Sequence, residues 1–484
     1  MNWIRPILVA AGVGCGLVGP LQAQTTGIFA DVATSLGMFT VQLDYVRAPR
    51  ATANFIGLAT GARAWCDPEN SGIRSNDFYA GTAVHLIRYD DASVPGTTNV
   101  LGFQAGLRPV RGTGGSTNWT GGPGYTILDE TTNGLSHSNG VIAMVQTEPH
   151  SAGSEFLVTR TNAAAYFDGL QTVFGRVVSN MAVVDALAAT PMNGGVPAAP
   201  PAISNVAIRR VGAAAEAFDV AAWNLPTATE SETALTVKSG TNLSTVAYDV
   251  PARSLYYVAH ATNLAQPAWP IDVIDFNAQT QAIRATNAFL AQTGAFGAVH
   301  FFHAVQARYP VYSAIPAGAG IVFEARWRDG TTYLYQLNLT GAWGSCTGLW
   351  WSISNSVVTG AGTISGAYWW WTRTPNSTRF NFMDNLGFVT DYTLGFDVAG
   401  ARTGRFYMAL SDWWGFPLGS EFGSCEWAPW TPGTKAPAGR STKAAATEPT
   451  GQWRELGRSA SDSLRRSVPV PAGATRAPGC RPFR

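Results

Sequence analysis

At 484 residues the chain is longer than one domain usually needs, and its apolar content is ample for several buried cores. The 31 acidic side chains almost cancel the 32 Lys and Arg side chains, and the formal net charge of +1 argues against a nucleic-acid-binding surface. The 52 glycines and an aromatic content of 11% favour mainly β structure with many turns. The composition therefore predicts a multidomain β protein that does not bind nucleic acid.

The first 24 residues have the pattern of a secretory signal peptide. Arg5 precedes an apolar stretch at 7–18, and a small-residue cleavage pattern follows at 21–23. The apolar stretch is too short and too rich in glycine to span a bilayer, and no later segment is long and apolar enough. Cys15 allows the alternative of a lipoprotein site, which Gly12 disfavours. We therefore expect an exported protein, periplasmic, cell-surface or secreted, without a membrane span.

Residues 27–106 show strand-like runs around one helical pattern. Apolar runs at 28–32, 38–43 and 83–88 suit strands. Pro49 opens a helix-forming run that contains the sequence T-A-N-F. The sequence L-G-F-Q-A-G follows at 101–106, before a glycine-rich segment.

The stretch 140–178 carries the most informative motifs. Its apolar runs, 141–145, 156–159 and 172–178, are separated by turn residues as in an antiparallel sheet. It contains, in this order, H-S-N-G-V-I-A-M, G-S-E-F-L-V-T and F-D-G-L-Q-T-V-F-G-R-V. With T-A-N-F and L-G-F-Q-A-G upstream, this order resembles that of cyclophilin-type peptidyl-prolyl isomerases. The resemblance covers residues 27–212 and implies a closed antiparallel β-barrel with two helices, near 49–60 and 181–189.

The activity implied by the resemblance is rotation of the X-Pro bond in proline-containing polypeptides. Amide resonance sets a barrier of about 20 kcal/mol to this rotation. Because no covalent bond breaks, the reaction needs no nucleophile, metal or cofactor. In the family an apolar pocket holds the proline, and an Arg guanidinium stabilises the twisted amide with its fork of donors.

The positions of the family's site can be transferred one by one. The catalytic positions fall on His85, Leu86, Gln104 and Gln146. Leu86 replaces the family's Arg, and a leucine side chain cannot donate a hydrogen bond. Arg88, two residues further along the same face of a strand, is an alternative cation. The substrate-binding positions are Leu101, Met144, Glu155, Phe156, Leu157, Tyr166, Phe167 and Gln171.

Two functional hypotheses follow from these replacements. The first is an isomerase for exported proteins, weakened because Leu86 stands at the Arg position. Loss of one such donor costs on the order of 10²–10³ in rate. The alternative is a non-catalytic peptide-binding or adhesion and scaffold protein built on the same barrel. The retained G-S-x-F and F-D-G motifs favour the first hypothesis, and Leu86 favours the second.

The second half of the chain is predicted to carry two further β modules. A linker at 213–232 precedes a β-sandwich-like module at 233–310 and a Trp-rich antiparallel β module at 316–430. Residues 431–484 are rich in Pro, Ala, Ser, Thr and Arg and are predicted to form a disordered tail.

Adjacent tryptophans distinguish the Trp-rich module, at 350–351, 369–371 and 413–414. Neighbouring residues on a strand point to opposite faces, so each group directs at least one indole outward. A contact surface for carbohydrate or protein is one interpretation, and packing within and between modules is the other. Cys346 and Cys425 bracket this region and are predicted to form a disulfide, with buried thiols as the alternative.

Overall fold

The computed structural model of the chain covers most of residues 26–430. The ranges that it describes are 26–67, 72–89, 99–111, 117–147, 149–193, 196–231, 235–239, 243–252, 254–261, 271–277, 281–290, 301–308, 320–327, 331–339, 343–355, 357–374, 377–383, 389–396, 403–411 and 417–430. The predicted signal peptide at 1–24 and the predicted tail at 431–484 lie outside these ranges.

The first unit is built on an eight-stranded antiparallel sheet. The strands of this unit are β1 Gly27–Thr34, β2 Gly37–Leu43, β3 Trp65–Cys66, β4 Ile73–Arg74, β5 Leu86–Tyr89, β6 Val100–Ala105, β7 Arg108–Arg111, β8 Thr117–Gly121, β9 Val141–Met144, β10 Phe156–Thr159, β11 Thr172–Ser179, β12 Met192–Asn193, β13 Val196–Pro197 and β14 Ile203–Val211. The order in the main sheet is β14-β1-β2-β11-β9-β10-β6-β5. An antiparallel bridge between Ala83 and Ala202 joins its two edges, so the sheet closes into a barrel as the motif order predicts.

Helices α1 Pro49–Thr60 and α3 Met181–Ala188 confirm the two predicted helices. Pro49 suits the start of α1 because its missing N–H would have no helical partner there. Gly61 adopts φ 72° at the end of α1, where a Cβ would lie 2.8 Å from the carbonyl oxygen of Ser75. The short helices α2 Ala164–Phe167 and α4 Ala213–Glu216 were not predicted. No helix within the described ranges is long and apolar enough to cross a membrane.

The interior of the barrel is an aromatic cluster centred on Phe55 of α1. Its ring centroid lies 4.8 Å from that of Tyr79, 5.9 Å from Phe156 and 5.4 Å from Phe174. These rings join α1 to the walls of the barrel, and all four side chains are fully buried. Packing of this kind stabilises the barrel beyond the apolar area that it buries.

Residues 213–232, predicted as a linker, are ordered in most of their length. They carry α4, a 3-10 helix at Val220–Trp223 and strand β15 Thr227–Glu230. Phe218 and Leu225 are buried against the barrel core, which explains why this Ala- and Thr-rich segment is held in place. The linker interpretation is therefore wrong for residues 213–231.

The middle module consists of β15 and the strands β16 Thr236–Ser239, β17 Leu243–Val250, β18 Ser254–Ala261, β19 Ile271–Asn277, β20 Ile283–Leu290 and β21 Phe301–Arg308. They form one sheet of order β15-β21-β18-β19 and another of order β16-β17-β20. Tyr248 and Tyr256, one from each sheet, stack with centroids 5.0 Å apart in a shared apolar core. The module also contacts the first unit, because Tyr257 and Val305 pack on Cys66.

The C-terminal barrel is closed by eight antiparallel strands that follow each other in chain order. They are β22 Gly320–Trp327, β23 Thr332–Leu339, β24 Trp343–Ser354, β25 Val357–Thr374, β26 Ser377–Met383, β27 Val389–Phe396, β28 Thr403–Ser411 and β29 Pro417–Trp430. The buried hydroxyls of Tyr335 and Tyr392 are 2.7 Å apart, and Phe406 packs on Tyr392 at 5.5 Å. The contact between the two tyrosines joins β23 to β27 on the other side of the barrel.

Two predictions for this barrel have different outcomes. Trp350 is half-buried and stacks on Tyr333 at 6.3 Å. The side chains of the other paired tryptophans lie outside the described residues, so the contact surface stays a prediction. The strand order opposes the Cys346–Cys425 disulfide: β22 and β23 separate their strands in the barrel wall. A separation of three strand spacings, about 14 Å, exceeds the roughly 7 Å limit between bridged Cα atoms.

Candidate active site

Strand register places the predicted site residues on two different faces of the barrel wall. Leu86, Gln104 and Leu157 lie opposite one another on β5, β6 and β10 and therefore share one face. Phe156 and Met144 form the next row, which faces the interior, and both side chains are fully buried in the aromatic core. The prediction that Phe156 and Met144 line the groove is wrong, because successive residues of a strand alternate between faces.

The outward row is held in place by hydrogen bonds that join the G-S-E-F turn to helix α1 and to the end of β6. Asn54, from the T-A-N-F sequence, donates through Nδ2 to the carbonyl oxygen of Gly153 at 2.7 Å. The hydroxyl of Ser154 donates to the carbonyl oxygen of Gly106 at 2.7 Å. These bonds fix the G-S-E-F turn against the end of β6, so that Glu155 is presented to the site.

A polar chain runs across the site from Arg88 to His85. With the Gln104 amide oriented to satisfy its neighbours, its oxygen accepts from Arg88 Nε at 3.0 Å and its nitrogen donates to Glu155 at 3.2 Å. The same Glu155 oxygen is 2.9 Å from His85 Nε2. Leu86 lies on the same face of β5 but is apolar. The cation that contacts Gln104 is therefore Arg88, two residues beyond the position predicted for it.

Beside this polar chain lies a small apolar cluster that would have to receive a proline ring. It consists of Leu101, Val145, Leu157, Ala163 and Phe167. Leu157 has no exposed surface, and Phe167 at the rim is only 8% exposed. Of the predicted substrate-binding positions, this cluster contains Leu101, Leu157 and Phe167. The cluster is closed in this structure, because Val145 and Phe167 pack around Leu157 and are larger than the Ala and Leu that the family has at these two positions.

Two members of the cluster, Val145 and Ala163, were absent from the predicted substrate-binding positions. Val145 could have been found from alternation, because it lies two residues beyond Ala143, which pairs with Leu157. Tyr166, at the predicted site position on α2, is instead 43% exposed and touches the edge of Phe167 at 6.2 Å. No pattern in the sequence indicated that Ala163 belongs to this cluster.

Gln146 is turned away from the apolar cluster toward a buried carboxylate. Its Nε2 donates to Asp129 Oδ2 at 2.9 Å and also contacts the carbonyl oxygen of Leu170. The backbone N–H of His150 donates to the same Asp129 oxygen at 2.8 Å. Burial opposes ionisation of Asp129, but His150 and Arg405 outweigh it and hold the pKa of this carboxyl below its usual value. Gln171 follows Leu170 and is buried.

Arg405, the cation beside Asp129, comes from the C-terminal barrel. Its Nη2 is 3.0 Å from Asp129 Oδ2. No local pattern could have predicted this contact, because hundreds of residues separate the two side chains. Within the described part of the chain, no three His, Cys, Asp or Glu side chains group as a metal site requires.

A cavity of about 350 Å³ opens next to Val145 and Glu155. The glycine-rich segment around Gly124 lines one side of it, and Leu255 and Tyr257 of the middle module line another. The hydroxyl of Tyr257 donates to the carbonyl oxygen of Gly124 at 2.8 Å. The middle module thus forms part of the wall of a cavity that adjoins the site.

The barrel, the row of side chains on β5, β6 and β10, and the apolar cluster define a peptidyl-prolyl isomerase domain. Residues 29–213 match the family model described as cyclophilin type peptidyl-prolyl cis-trans isomerase/CLD. The chain is 32% identical over 169 residues to "Peptidyl-prolyl cis-trans isomerase B" of Streptomyces anulatus, a match that covers 86% of that protein and 34% of this chain. The chain belongs to the cyclophilin-type peptidyl-prolyl isomerase family.

Other similar proteins carry the same description. The chain is 30% identical over 168 residues to "Probable peptidyl-prolyl cis-trans isomerase A" of Mycobacterium leprae, covering 82% of that protein and 34% of this chain. A crystal structure of a Cryptosporidium parvum cyclophilin type isomerase aligns with a TM-score of 0.29 at 18% identity, covering 38% of this chain and 98% of that one. By family the chain is therefore an enzyme, a peptidyl-prolyl isomerase whose substrates are proline-containing peptides.

Proposed function

We propose that this chain is a weakly active peptidyl-prolyl isomerase of exported polypeptides, with Arg88 in place of the missing cation at Leu86. The observation that carries the proposal is the hydrogen bond from Arg88 Nε to the Gln104 amide oxygen, 3.0 Å long. It joins a guanidinium to the side chain at the family's active-site glutamine position. A guanidinium held there can stabilise the amide as resonance is lost.

The closed apolar cluster supports weak rather than full activity. A proline ring can reach Leu157 only if neighbouring side chains move, because Leu157 has no exposed surface. If only a fraction of the molecules has an open cluster at any time, the apparent affinity for a proline peptide is reduced to that fraction of the intrinsic affinity. The family's residue at Phe167 is Leu, so Phe167→Leu should open the cluster and lower KM for a proline peptide. An unchanged KM in a folded Phe167→Leu chain would contradict this explanation.

The test of the function is isomerase activity of the full-length chain on a short X-Pro peptide. We expect measurable turnover that Arg88→Met lowers. Export is proposed from the signal-peptide pattern at 1–24, and a fusion of these residues to a reporter enzyme should be translocated and cleaved near residue 23 in a bacterial host. Retention of the fusion in the cytoplasm would overturn the exported part of the proposal.

A non-catalytic peptide-binding protein is the second candidate, favoured by the burial of Leu157. The two candidates differ in what Arg88→Met does. In an isomerase this change lowers turnover, whereas a binding protein has no turnover to lose and retains peptide affinity. An inactive parent chain that binds proline peptides as well as its Arg88→Met variant would establish the second candidate.

A further inference from the structure

Arg405 projects from β28 of the C-terminal barrel into the isomerase domain. Its Nη2 forms an ion pair with Asp129 Oδ2 at 3.0 Å, and its Nη1 donates to the carbonyl oxygen of Gly169 at 2.6 Å. Nη1 also contacts the hydroxyl of Thr131. The Arg405 side chain is 11% exposed and that of Asp129 only 1%. The contact is therefore a buried ion pair between two modules and not a surface salt bridge.

Asp129 connects this ion pair to the site. The oxygen that faces Arg405 also accepts from Gln146 Nε2 at 2.9 Å and from the His150 backbone at 2.8 Å. Gln146 is one of the positions that the resemblance to the family predicts to be catalytic. A carboxylate buried this deeply is stable only with nearby cations and donors. His150, with Nδ1 3.3 Å from Asp129 Oδ2, and Arg405 together supply the charge that keeps Asp129 ionised and able to hold Gln146.

Gly169 connects the same arginine to the apolar cluster. It lies in the turn between Phe167, a wall of the cluster, and Gln171, another predicted substrate-binding position. By donating to the Gly169 carbonyl oxygen, Arg405 holds this turn in place. One side chain thus holds both the Asp129 loop and the turn after α2.

We propose that Arg405 is a positioning residue of the isomerase site. The C-terminal barrel thereby contributes to the activity of the isomerase domain. The inference rests on the proposed function, since it assigns Gln146 a role in turnover. Arg405 does not touch the reacting amide. It acts through Asp129 on Gln146 and through Gly169 on the turn that carries Phe167.

The test compares full-length variants in the isomerase assay. Arg405→Gln should lower kcat/KM about 10- to 100-fold, the loss expected when site groups are displaced by about 1 Å, and most of it should fall on kcat. Arg405→Gln combined with Asp129→Asn should recover part of the loss, because a neutral amide needs no counter-ion. Arg405→Lys should fall between the parent and Arg405→Gln.

A matched control is available on the same barrel. Arg326 is paired within the C-terminal barrel, with Nε 2.7 Å from Glu324 Oε1, and its side chain is 55% exposed. Arg326→Gln should leave kcat and KM at parent values. Equal kcat/KM for the Arg405→Gln, Arg326→Gln and parent chains would overturn the proposal. So would a loss in Arg405→Gln that appears only in KM.

A second measurement does not require turnover. In a chain labelled with ¹⁵N-glutamine, the side-chain amide signal of Gln146, assigned with Gln146→Leu, should shift in Arg405→Gln and not in Arg326→Gln. If the parent chain is inactive, the proposed function fails, while a shifted Gln146 signal still supports positioning by Arg405. An unshifted signal overturns the positioning role whatever the activity.

Discussion

Replacing Arg88 with Met in the full-length chain should lower kcat/KM for X-Pro isomerisation about 10²–10³-fold. The magnitude follows from the geometry, in which Arg88 is the cation that contacts Gln104, with Nε 3.0 Å from its amide oxygen. Loss of one preorganised donor costs about 2.7–4 kcal/mol of transition-state stabilisation. Met retains an apolar stem of similar length, so packing on β5 should persist.

The assay measures the rate at which a short X-Pro peptide isomerises in the presence of the full-length parent or one of its variants, under the same conditions. Arg176→Met is the matched control, because Arg176 is exposed and its contact to Gln42 is long, at 3.4 Å. Leu86→Arg places the family's cation two residues away on the same face of β5 and should raise turnover of the Arg88→Met chain. Arg88→Lys should retain only part of the activity, since an ammonium lacks the planar fork of donors.

Two results would refute this reasoning about Arg88. Parent-level kcat/KM in a folded Arg88→Met chain would show that Arg88 is not the catalytic cation. Equal losses in Arg88→Met and Arg176→Met would show that the effect of the substitution is not specific to the site. Activity of the parent at the level of its relatives would leave the role of Arg88 intact but contradict the weakened activity that we propose.

Three further predictions concern stability and accessibility. Glu130→Ala should lower the free energy of unfolding, measured in urea, by about 1–3 kcal/mol, because the N–H groups of Arg50 and Ala51 at the start of α1 lose their acceptor. Glu216→Ala, at an exposed position, is the control. An equal effect of both substitutions would contradict the capping role of Glu130. Burial lowers the pKa of His137 below 6.5, so its contribution to stability should be present above about pH 6.5 and be lost as the pH falls through its folded pKa. His137→Gln should flatten this dependence of the unfolding free energy on pH. An unchanged profile would show that His137 is not the titrating group. Burial raises the pKa of the Cys66 thiol to about 12, so a thiol reagent should label Cys66 slowly. Labelling, measured by peptide mass spectrometry, should be faster in Tyr257→Ala, because Tyr257 packs on Cys66. Equal rates in the parent and the variant would show that Tyr257 does not shield this thiol.

Motif order predicted the barrel and its two helices because each motif fixes a local structure. T-A-N-F lies on α1, where Asn54 bonds the turn that contains G-S-E-F, so the spacing of these motifs reflects a direct contact. The same transfer failed for Met144 and Phe156, since it ignored the alternation of strand faces. The transfer left Leu86 without a cation, and alternation along the strand indicated Arg88 as the alternative; it is Arg88 that donates to Gln104.

Contacts between modules were beyond what the sequence could predict. Arg405 and Thr131 are separated by 274 positions, and neither lies in a pattern that would indicate a partner. The burial of Phe218 and Leu225 likewise depends on the barrel surface beneath them and not on their own polar neighbours. Composition therefore suggested a linker where tertiary packing orders the chain.

The cavity between Gly124 and Tyr257 has a thermodynamic consequence for the whole chain. A molecule bound there would touch the isomerase barrel and the middle module at once, so occupancy and association of the two modules become reciprocally linked. A ligand present at 100 times its Kd, and bound only when the modules are together, would favour their association by about 2.7 kcal/mol. Conversely, separation of the middle module from the barrel would remove Leu255 and Tyr257 from the cavity wall and weaken binding of the ligand.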